Sequence, residues 1–165
     1  MIRIGHGYDI HRIVPGRPLV LGGVRFAADY GLDGHSDADV VAHAVADAVL
    51  GASGLGDLGR HAPDTDPAWS GADSLDLLGR VVRLAAEEGW SPVNADCTVI
   101  AERPRLAPSV GEMAERLGSV LGAPVNVKAT RAEGLGALGR AEGIACTAVV
   151  LMESSATAGR TGAGR

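Results

Sequence analysis

The segment at residues 5–11, Gly-His-Gly-Tyr-Asp-Ile-His, constrains the chain most, because it alternates like a β-strand and carries two metal-ligand side chains. Residues two apart on a strand point to one face, so Asp9 and His11 share a face. His43 lies on the first predicted helix. An Asp and two His held by a strand and a helix would bind a divalent metal with one coordination position open, which is typical of catalytic zinc sites.

Composition predicts one globular domain. The chain has 165 residues, of which 46% are hydrophobic and 21% charged, enough to bury a core. We expect a single catalytic domain over residues 1–153 and a disordered tail over 154–165, where small and polar residues show no core pattern.

The net charge and the two cysteines indicate which partners the protein could bind and in which cellular compartment it works. The net charge of -5 argues against nucleic-acid and acidic-membrane partners. The sequence holds no apolar run long enough to span a membrane. Cys97 and Cys146 stand far apart in apolar runs, so we expect buried, reduced thiols in a cytoplasmic protein.

The hydrophobic pattern predicts the order ββ-α-α-β-α-β-β, hence an α+β fold: a mixed four- to five-stranded sheet with helices packed on one face. Ser36 is the expected N-cap of the first helix, and Ser109-x-x-Glu112 is the expected capping box of the third. Residues 51–73 are expected to be a long functional loop. Predicted strands cover residues 1–10, 17–27, 93–102, 124–130 and 143–153; predicted helices cover about 37–50 and the stretches after Asp73-Ser74 and Ser109.

Polar residues cluster around the first helix. Asp39, His43 and Asp47 recur every four residues and so share a helical face. Each carboxylate either orients a metal-bound imidazole or is a solvated helix charge. His35 and Ser36 stand where the unpaired N–H groups of a helix start favour phosphate, although Ser36 also serves as a cap in this interpretation.

Two glycine-rich segments, residues 54–59 and 134–139, match the dinucleotide fingerprint G-x-G-x-x-G. Neither has the strand–loop–helix context that the fingerprint requires, which disfavours a nicotinamide-binding protein. Residues 130–133 offer a hydroxyl, a guanidinium and a carboxylate after a predicted strand. They either hold a diphosphate with its counter-metal or form an exposed polar loop.

A series of motifs extends over nearly the whole chain, at residues 3–11, 34–37, 43 with 47–51, 56–59, 63–67, 71–74, 104–106, 126–130 and 142–146. In this order and spacing they resemble the family of 2-C-methyl-D-erythritol 2,4-cyclodiphosphate synthases, enzymes of the non-mevalonate route to isoprenoids. The resemblance implies a homotrimer with active sites between neighbouring subunits. It also implies zinc at Asp9, His11 and His43, and a magnesium or manganese ion at Glu133.

The implied substrate is 4-diphosphocytidyl-2-C-methyl-D-erythritol 2-phosphate, whose 2-phosphate attacks the β-phosphorus and expels CMP. His35 and Arg131 occupy the implied catalytic positions. Such a reaction needs positioning and charge neutralisation more than a side-chain nucleophile. The implied substrate-binding residues are Asp9, His11, His35, Ser36, Asp57, Leu58, Gly59, Ala62, Pro63, Asp64, Thr65, Asp66, Ala101, Pro104, Arg105, Leu106, Ala107, Thr130, Arg131, Ala132, Glu133, Ala137 and Arg140.

The segment from Thr130 to Gly143 departs from the family pattern. Arg131 stands where the family has a transition-state-stabilising threonine, and Ala137 replaces the aromatic residue that would line the trimer's central channel. Arg131 either stabilises the transition state as a charge or crowds the diphosphate. Two alternative functions stay open: a zinc-dependent phosphohydrolase with the same ligands, and a catalytically impaired metal-binding trimer.

Overall fold

The computed structural model describes residues 1–63 and 70–154 and has an α+β architecture. The strands are β1 (Ile2–Pro15), β2 (Leu19–Leu21), β3 (Val24–Phe26), β4 (Tyr30–Leu32), β5 (Trp90–Ile100), β6 (Val125–Thr130) and β7 (Gly143–Ser154). The helices are α1 (Val40–Ser53), α2 (Leu58–His61), α3 (Ser74–Glu87), α4 (Val110–Leu121) and α5 (Gly136–Gly139).

Five strands form a mixed sheet in the order β4-β1-β7-β5-β6. Strand β1 pairs antiparallel with β4 and β7, and β7 pairs antiparallel with β5. Strand β5 pairs parallel with β6, which requires a crossover, and α4 lies in that connection. Strands β2 and β3 form a separate two-stranded sheet. The predicted mixed sheet is confirmed, but the single strand predicted over residues 17–27 is wrong: it is broken at Gly22-Gly23, where the chain turns, into β2 and β3, which pair with each other outside that sheet.

The helices cover one face of the sheet, as predicted. Strand β1 buries Gly5 and Gly7 on the face that contacts α1. Its alternate residues Ile4 and Tyr8 point to the other face and are 71% and 51% exposed. Strand β7 adds Val149 to this open face, opposite His6 in the ladder. The sheet therefore presents an uncovered surface with large apolar side chains.

Helix α1 packs on β1 at backbone contact distance. A Cβ added at Gly5 would overlap the carbonyl oxygen of Ala48, and one added at Gly7 would overlap that of Ala44. The buried residues of α1 are nearly all alanine and valine. Because the side chains of both elements are small or absent at this contact, the backbone of the helix lies directly against the backbone of the strand.

The two other long helices each bury one face. On α3, Leu78 and Ala85 are fully buried, and Leu75 and Val82 pack against the core. On α4, the fully buried residues are Met113, Leu117 and Leu121. Cys97 and Cys146 are buried free thiols, as expected.

The prediction that the first helix begins at residue 37 with Ser36 as its N-cap is wrong. Helix α1 begins at Val40, because Asp39 accepts hydrogen bonds from the N–H groups of Val41 and Ala42. Ser36 instead accepts a bond from Ala38 N. The charged carboxylate reaches two free N–H groups at once, so it outcompetes the hydroxyl as the cap.

Two further local predictions need correction. Ser109 precedes α4, but its side chain makes no capping hydrogen bond, and Glu112 pairs with Arg116 at 2.8 Å instead. The stretch 51–73 is not wholly loop, because it includes the end of α1 and all of α2.

The C-terminal strand continues to Ser154, one residue into the predicted tail. The remainder of that tail, residues 155–165, lies outside the described residues, as do residues 64–69. Among the residues that are described, no helix combines the length and apolar character needed to cross a membrane.

Replacing Gly7 with alanine should lower the stability of the fold by about 1–3 kcal/mol or more, because the methyl group collides with α1 backbone. Thermal unfolding followed by circular dichroism measures the effect. Gly111→Ala is the matched control, since a methyl there meets no atom within 4 Å and favours helix α4. Equal unfolding temperatures for wild type and Gly7→Ala would contradict the close packing.

Candidate metal centre

Strand β1 and helix α1 bring three predicted ligands together. Asp9 Oδ2 lies 2.9 Å from His11 Nε2 and 3.0 Å from His43 Nδ1. The two imidazole nitrogens are 3.3 Å apart. Alternation along β1 puts Asp9 and His11 on the face that α1 covers, and the close helix contact brings His43 over them.

The donor set fits a divalent metal. Four ligand atoms at about 2.0–2.1 Å around tetrahedral zinc lie roughly 3.3 Å from one another. The three donor atoms form a triangle of about that size and could hold a metal ion. The side chains of Asp9, His11 and His43 are 24%, 19% and 13% exposed, so the group opens to solvent on one side. One coordination position would remain for a ligand from outside.

The charges within the group are strongly coupled. Burial raises the pKa of Asp9, but hydrogen bonds and charge from His11 and His43 outweigh this and hold it well below its usual range. Burial lowers the pKa of His11, yet the Asp9 carboxylate raises it overall. A cation is therefore favoured among these three side chains, whether a proton or a metal ion.

Helix α3 approaches the group from the side opposite the donor triangle. Ser74 Oγ lies 2.8 Å from His43 Nε2 and donates its hydrogen to Asp37 Oδ1. Ser74 N also donates to Asp37 Oδ2, at 3.2 Å. Ser36 Oγ lies 3.2 Å from the same imidazole nitrogen.

The interpretation of the sequence missed Ser74 and Asp37 as neighbours of the metal ligands. One signal was available: Ser74 stands four residues before Leu78, on the apolar stripe of its helix. A hydroxyl on a buried stripe needs a hydrogen-bond partner.

Two alternatives were open for Asp39 and Asp47: each could orient His43 or be a solvated helix charge. The structure shows a third role, since both carboxylates bind backbone N–H groups. Asp39 is fully buried and accepts from Gly22 N and Gly23 N at 2.8 Å and 2.6 Å, besides capping α1; burial raises its pKa. Asp47 accepts from Leu58 N at 2.7 Å, which fixes the start of α2 beside α1.

A cavity of about 360 Å³ adjoins the donor triangle. Besides the three ligands, its lining residues are Asp47, Leu58, Gly59, Ala62 and Pro63. Asp57, which was expected to hold substrate, caps α2 through Arg60 N. Ser36 is buried and His35 exposed in the loop before α1. Asp64, Thr65 and Asp66 lie outside the described residues.

A second cavity of about 440 Å³ collects seven of the implied substrate-binding residues. Its lining residues are Ala101, Glu102, Pro104, Arg105, Leu106, Ala107, Ala129, Thr130 and Arg131, of which none lines the metal cavity. Among the described residues, therefore, the metal cavity and the second cavity are lined by separate groups of predicted residues.

Arg131 has a partner that the sequence interpretation did not find. Its Nε and Nη2 atoms donate to Glu102 Oε2 at 2.9 Å and 2.7 Å, and the guanidinium lowers the pKa of Glu102. Glu102 follows β5 and Arg131 follows β6, and these strands are parallel neighbours. Both residues consequently emerge at the same edge of the sheet.

The remaining predicted residues lie beyond β6. Ala132 and the exposed Glu133 follow Arg131 in a turn, where Glu133 has a φ of 54°. Ala137 lines a third cavity, which His11 also lines. Arg140 pairs with Glu142 at 2.6 Å.

The fold and these side chains define an α+β protein with a site for a divalent metal that has one position open. The model of the YgbB family matches residues 2–153. The chain belongs to the YgbB family, and the family resemblance inferred from the sequence motifs is confirmed.

Named relatives support this assignment. The chain is 62% identical over 152 residues to the 2-C-methyl-D-erythritol 2,4-cyclodiphosphate synthase of Symbiobacterium thermophilum, covering 90% of this chain and 97% of the relative. A solved 2C-methyl-D-erythritol-2,4-cyclodiphosphate synthase in a CDP-bound form is 36% identical, with a TM-score of 0.83, covering 92% of this chain and all of that one. The bifunctional IspDF of Campylobacter jejuni is 39% identical, with a TM-score of 0.90; the match covers 93% of this chain but 42% of that longer one.

Metal affinity should fall as the pH is lowered, and the fall should begin above the ordinary histidine pKa of 6.5, because Asp9 raises the pKa of His11. A bound metal must displace that proton, so affinity should drop roughly tenfold per pH unit below this pKa. Zinc titration against a competing chelator between about pH 5.5 and about pH 8 measures it. His61→Ala should leave the profile unchanged, since that side chain lies within 2.9 Å of Leu55 O. A zinc affinity that does not change with pH would contradict the coupling between Asp9 and His11.

Proposed function

We propose that this protein cyclises 4-diphosphocytidyl-2-C-methyl-D-erythritol 2-phosphate to 2-C-methyl-D-erythritol 2,4-cyclodiphosphate, with release of CMP, in the non-mevalonate pathway. The observation that carries the proposal is the donor triangle of Asp9, His11 and His43 beside a cavity, in a chain 62% identical to a synthase of that name. We further propose that the enzyme works in the cytoplasm, where its two buried cysteines would stay reduced.

We assign zinc to the donor triangle, where it would act as a Lewis acid and template for a phosphate of the substrate. Ser36 lies beside His43, so its hydroxyl can donate to a phosphate oxygen close to the metal. His35 is exposed in the same loop and offers a further donor. These groups would hold the 2-phosphate in place before it attacks.

The cytidine end is assigned to the second cavity, because most of its lining residues are ones that the family resemblance implies for substrate binding; a solved relative is described in a CDP-bound form. Thr130, Arg131 and Ala132 are proposed to hold the diphosphate, with Glu133 binding a magnesium or manganese ion that neutralises it. Hard carboxylate oxygens suit either cation. The proposed order along the substrate therefore runs from the donor triangle to the end of β6.

The two cavities share no lining residue, which fits a substrate held between two chains. We propose a homotrimer in which the active site lies between neighbouring subunits. The uncovered sheet face, with Ile4, Tyr8, Ile10 and Val149 exposed, supports this assembly, since an apolar surface of this kind is typical of subunit interfaces.

The proposed reaction forms a bond between an oxygen of the 2-phosphate and the β-phosphorus, while the bond from that phosphorus to the CMP oxygen breaks. CMP leaves with the electron pair. A phosphohydrolase with the same ligands would differ in admitting water as the attacking group. Phosphorus NMR of the purified protein with substrate, zinc and magnesium separates the alternatives: cyclic diphosphate and CMP support the proposal. Linear phosphates indicate hydrolysis, and no turnover despite bound zinc indicates an impaired enzyme.

Arg131 should contribute to the rate, because its guanidinium is fixed by Glu102 at the rim of the proposed diphosphate site. Removing one such donor typically lowers kcat by about 100- to 1,000-fold. We expect a decrease in kcat of that size for Arg131→Ala, and a smaller decrease for Arg131→Thr, which keeps a hydrogen-bond donor. Steady-state CMP release measures this. Arg116→Ala breaks a similar pair with Glu112 on α4 and should leave the rate unchanged. A faster Arg131→Ala enzyme would mean that the side chain crowds the diphosphate.

The trimer proposal predicts that Ile4→Glu dissociates the assembly and abolishes turnover, because burying a carboxylate in an apolar interface is unfavourable. Light scattering gives the mass, and zinc binding shows whether the donor triangle survives in the monomer. Ser119→Glu, an exposed position on α4, should remain trimeric and active. An active Ile4→Glu monomer would refute shared active sites.

A further inference from the structure

We propose that Ser74 and Asp37 are positioning residues that fix the tautomer of His43, so that its Nδ1 atom is free to bind the metal. This inference rests on the zinc site proposed above. Neither residue was expected to take part in the site, and they come from separate segments, the loop before α1 and the first turn of α3. The side chains form a chain of contacts from Asp37 through Ser74 to His43.

Counting hydrogens along this chain determines its direction. Asp37 Oδ1 also accepts from Asp39 N, as expected of a carboxylate that carries no hydrogen. Ser74 has a single hydroxyl hydrogen and donates it to Asp37. Ser74 Oγ can therefore only accept from His43 Nε2, at 2.8 Å. A neutral His43 with its hydrogen on Nε2 carries none on Nδ1.

The far side of the imidazole agrees with this assignment. His43 Nδ1 faces Asp9 Oδ2 at 3.0 Å and His11 Nε2 at 3.3 Å, both of which are metal-binding atoms. Without a metal, a hydrogen on Nδ1 would be donated to Asp9 Oδ2; a bound metal would take the place of that hydrogen and leave the one on Nε2 with Ser74. The arrangement is a carboxylate acting on a metal-binding histidine through one intervening hydroxyl, comparable with the direct carboxylate contacts that orient such histidines.

The surroundings make Ser74 a rigid acceptor. It is 1% exposed, and its backbone N–H is held by Asp37 Oδ2 at 3.2 Å. Ser36 Oγ lies 3.3 Å from Ser74 Oγ and 3.2 Å from His43 Nε2, so it approaches the same nitrogen at a longer distance. Ser74 is therefore the principal partner of His43 Nε2. Because the hydrogen of Ser74 goes to Asp37, Ser36 is the donor in the contact between the two hydroxyls, until a substrate oxygen takes that hydrogen bond.

The test compares zinc dissociation constants of the full-length protein, measured by chelator competition at fixed pH, with NMR of the His43 ring in the zinc-loaded state. Ser74→Ala should weaken zinc binding by about tenfold or more, the range typical for loss of such a partner. The Nε2–H signal of His43 should be slow to exchange in wild type and fast in Ser74→Ala. Asp37→Asn should weaken zinc binding too, and the double variant should lose less than the sum of the two single losses.

Asp73→Ala is the matched control. Asp73 caps α3 by accepting from Leu75 N but does not contact His43, so its loss should lower the unfolding temperature and leave zinc affinity within about twofold. Equal zinc affinity and an unchanged Nε2–H signal in Ser74→Ala would overturn the inference alone. Equal weakening by Ser74→Ala and Asp73→Ala would also overturn it, because the cause would then be the start of α3. Wild-type protein that binds no zinc would overturn both this inference and the proposed zinc site.

Discussion

The contact of helix α1 with strand β1 at Gly5 and Gly7 is the constraint on which the rest of the structure depends. Side chains at these two positions would overlap the carbonyl oxygens of Ala48 and Ala44, so the helix could not lie as close to the strand. The same strand carries Asp9 and His11 on the covered face, and the same helix carries His43. A donor triangle with sides of about 3 Å needs both elements at this separation. The packing of the core and the chemistry of the site therefore have one structural cause.

Three aspartates extend this arrangement into the surrounding loops. Asp39 joins the β2–β3 turn to the start of α1, Asp47 holds the start of α2, and Asp37 holds the start of α3. Each uses its carboxylate on backbone N–H groups, which are strong partners in a buried setting. Asp47 thus fixes the α2 segment that lines the metal cavity to the helix that supplies His43. The cavity assigned to cytidine is lined by other residues, at the ends of β5 and β6, and the proposed trimer would supply it from a second copy.

The sequence alone predicted the parts of the site that depend on short-range periodicity. Alternation placed Asp9 and His11 on one face, and helical spacing placed His43 on the first helix, as the structure has them. Contacts between distant segments were not accessible in this way: Asp37 and Ser74 are 37 residues apart, and Glu102 and Arg131 are 29 apart. Local patterns also failed where two groups compete for one role. Ser36 and Asp39 are both plausible caps, and only the tertiary position of the Gly22–Gly23 turn shows which one is used.

The most direct test of the account is a crystal structure of the zinc-loaded protein with anomalous data collected on both sides of the zinc edge. We expect one zinc peak per chain within bonding distance of Asp9 Oδ2, His11 Nε2 and His43 Nδ1, with no other protein atom in the remaining position. A peak bonded to His43 through Nε2, or a zinc ion held by other residues, would contradict the link between the α1–β1 contact and the metal centre.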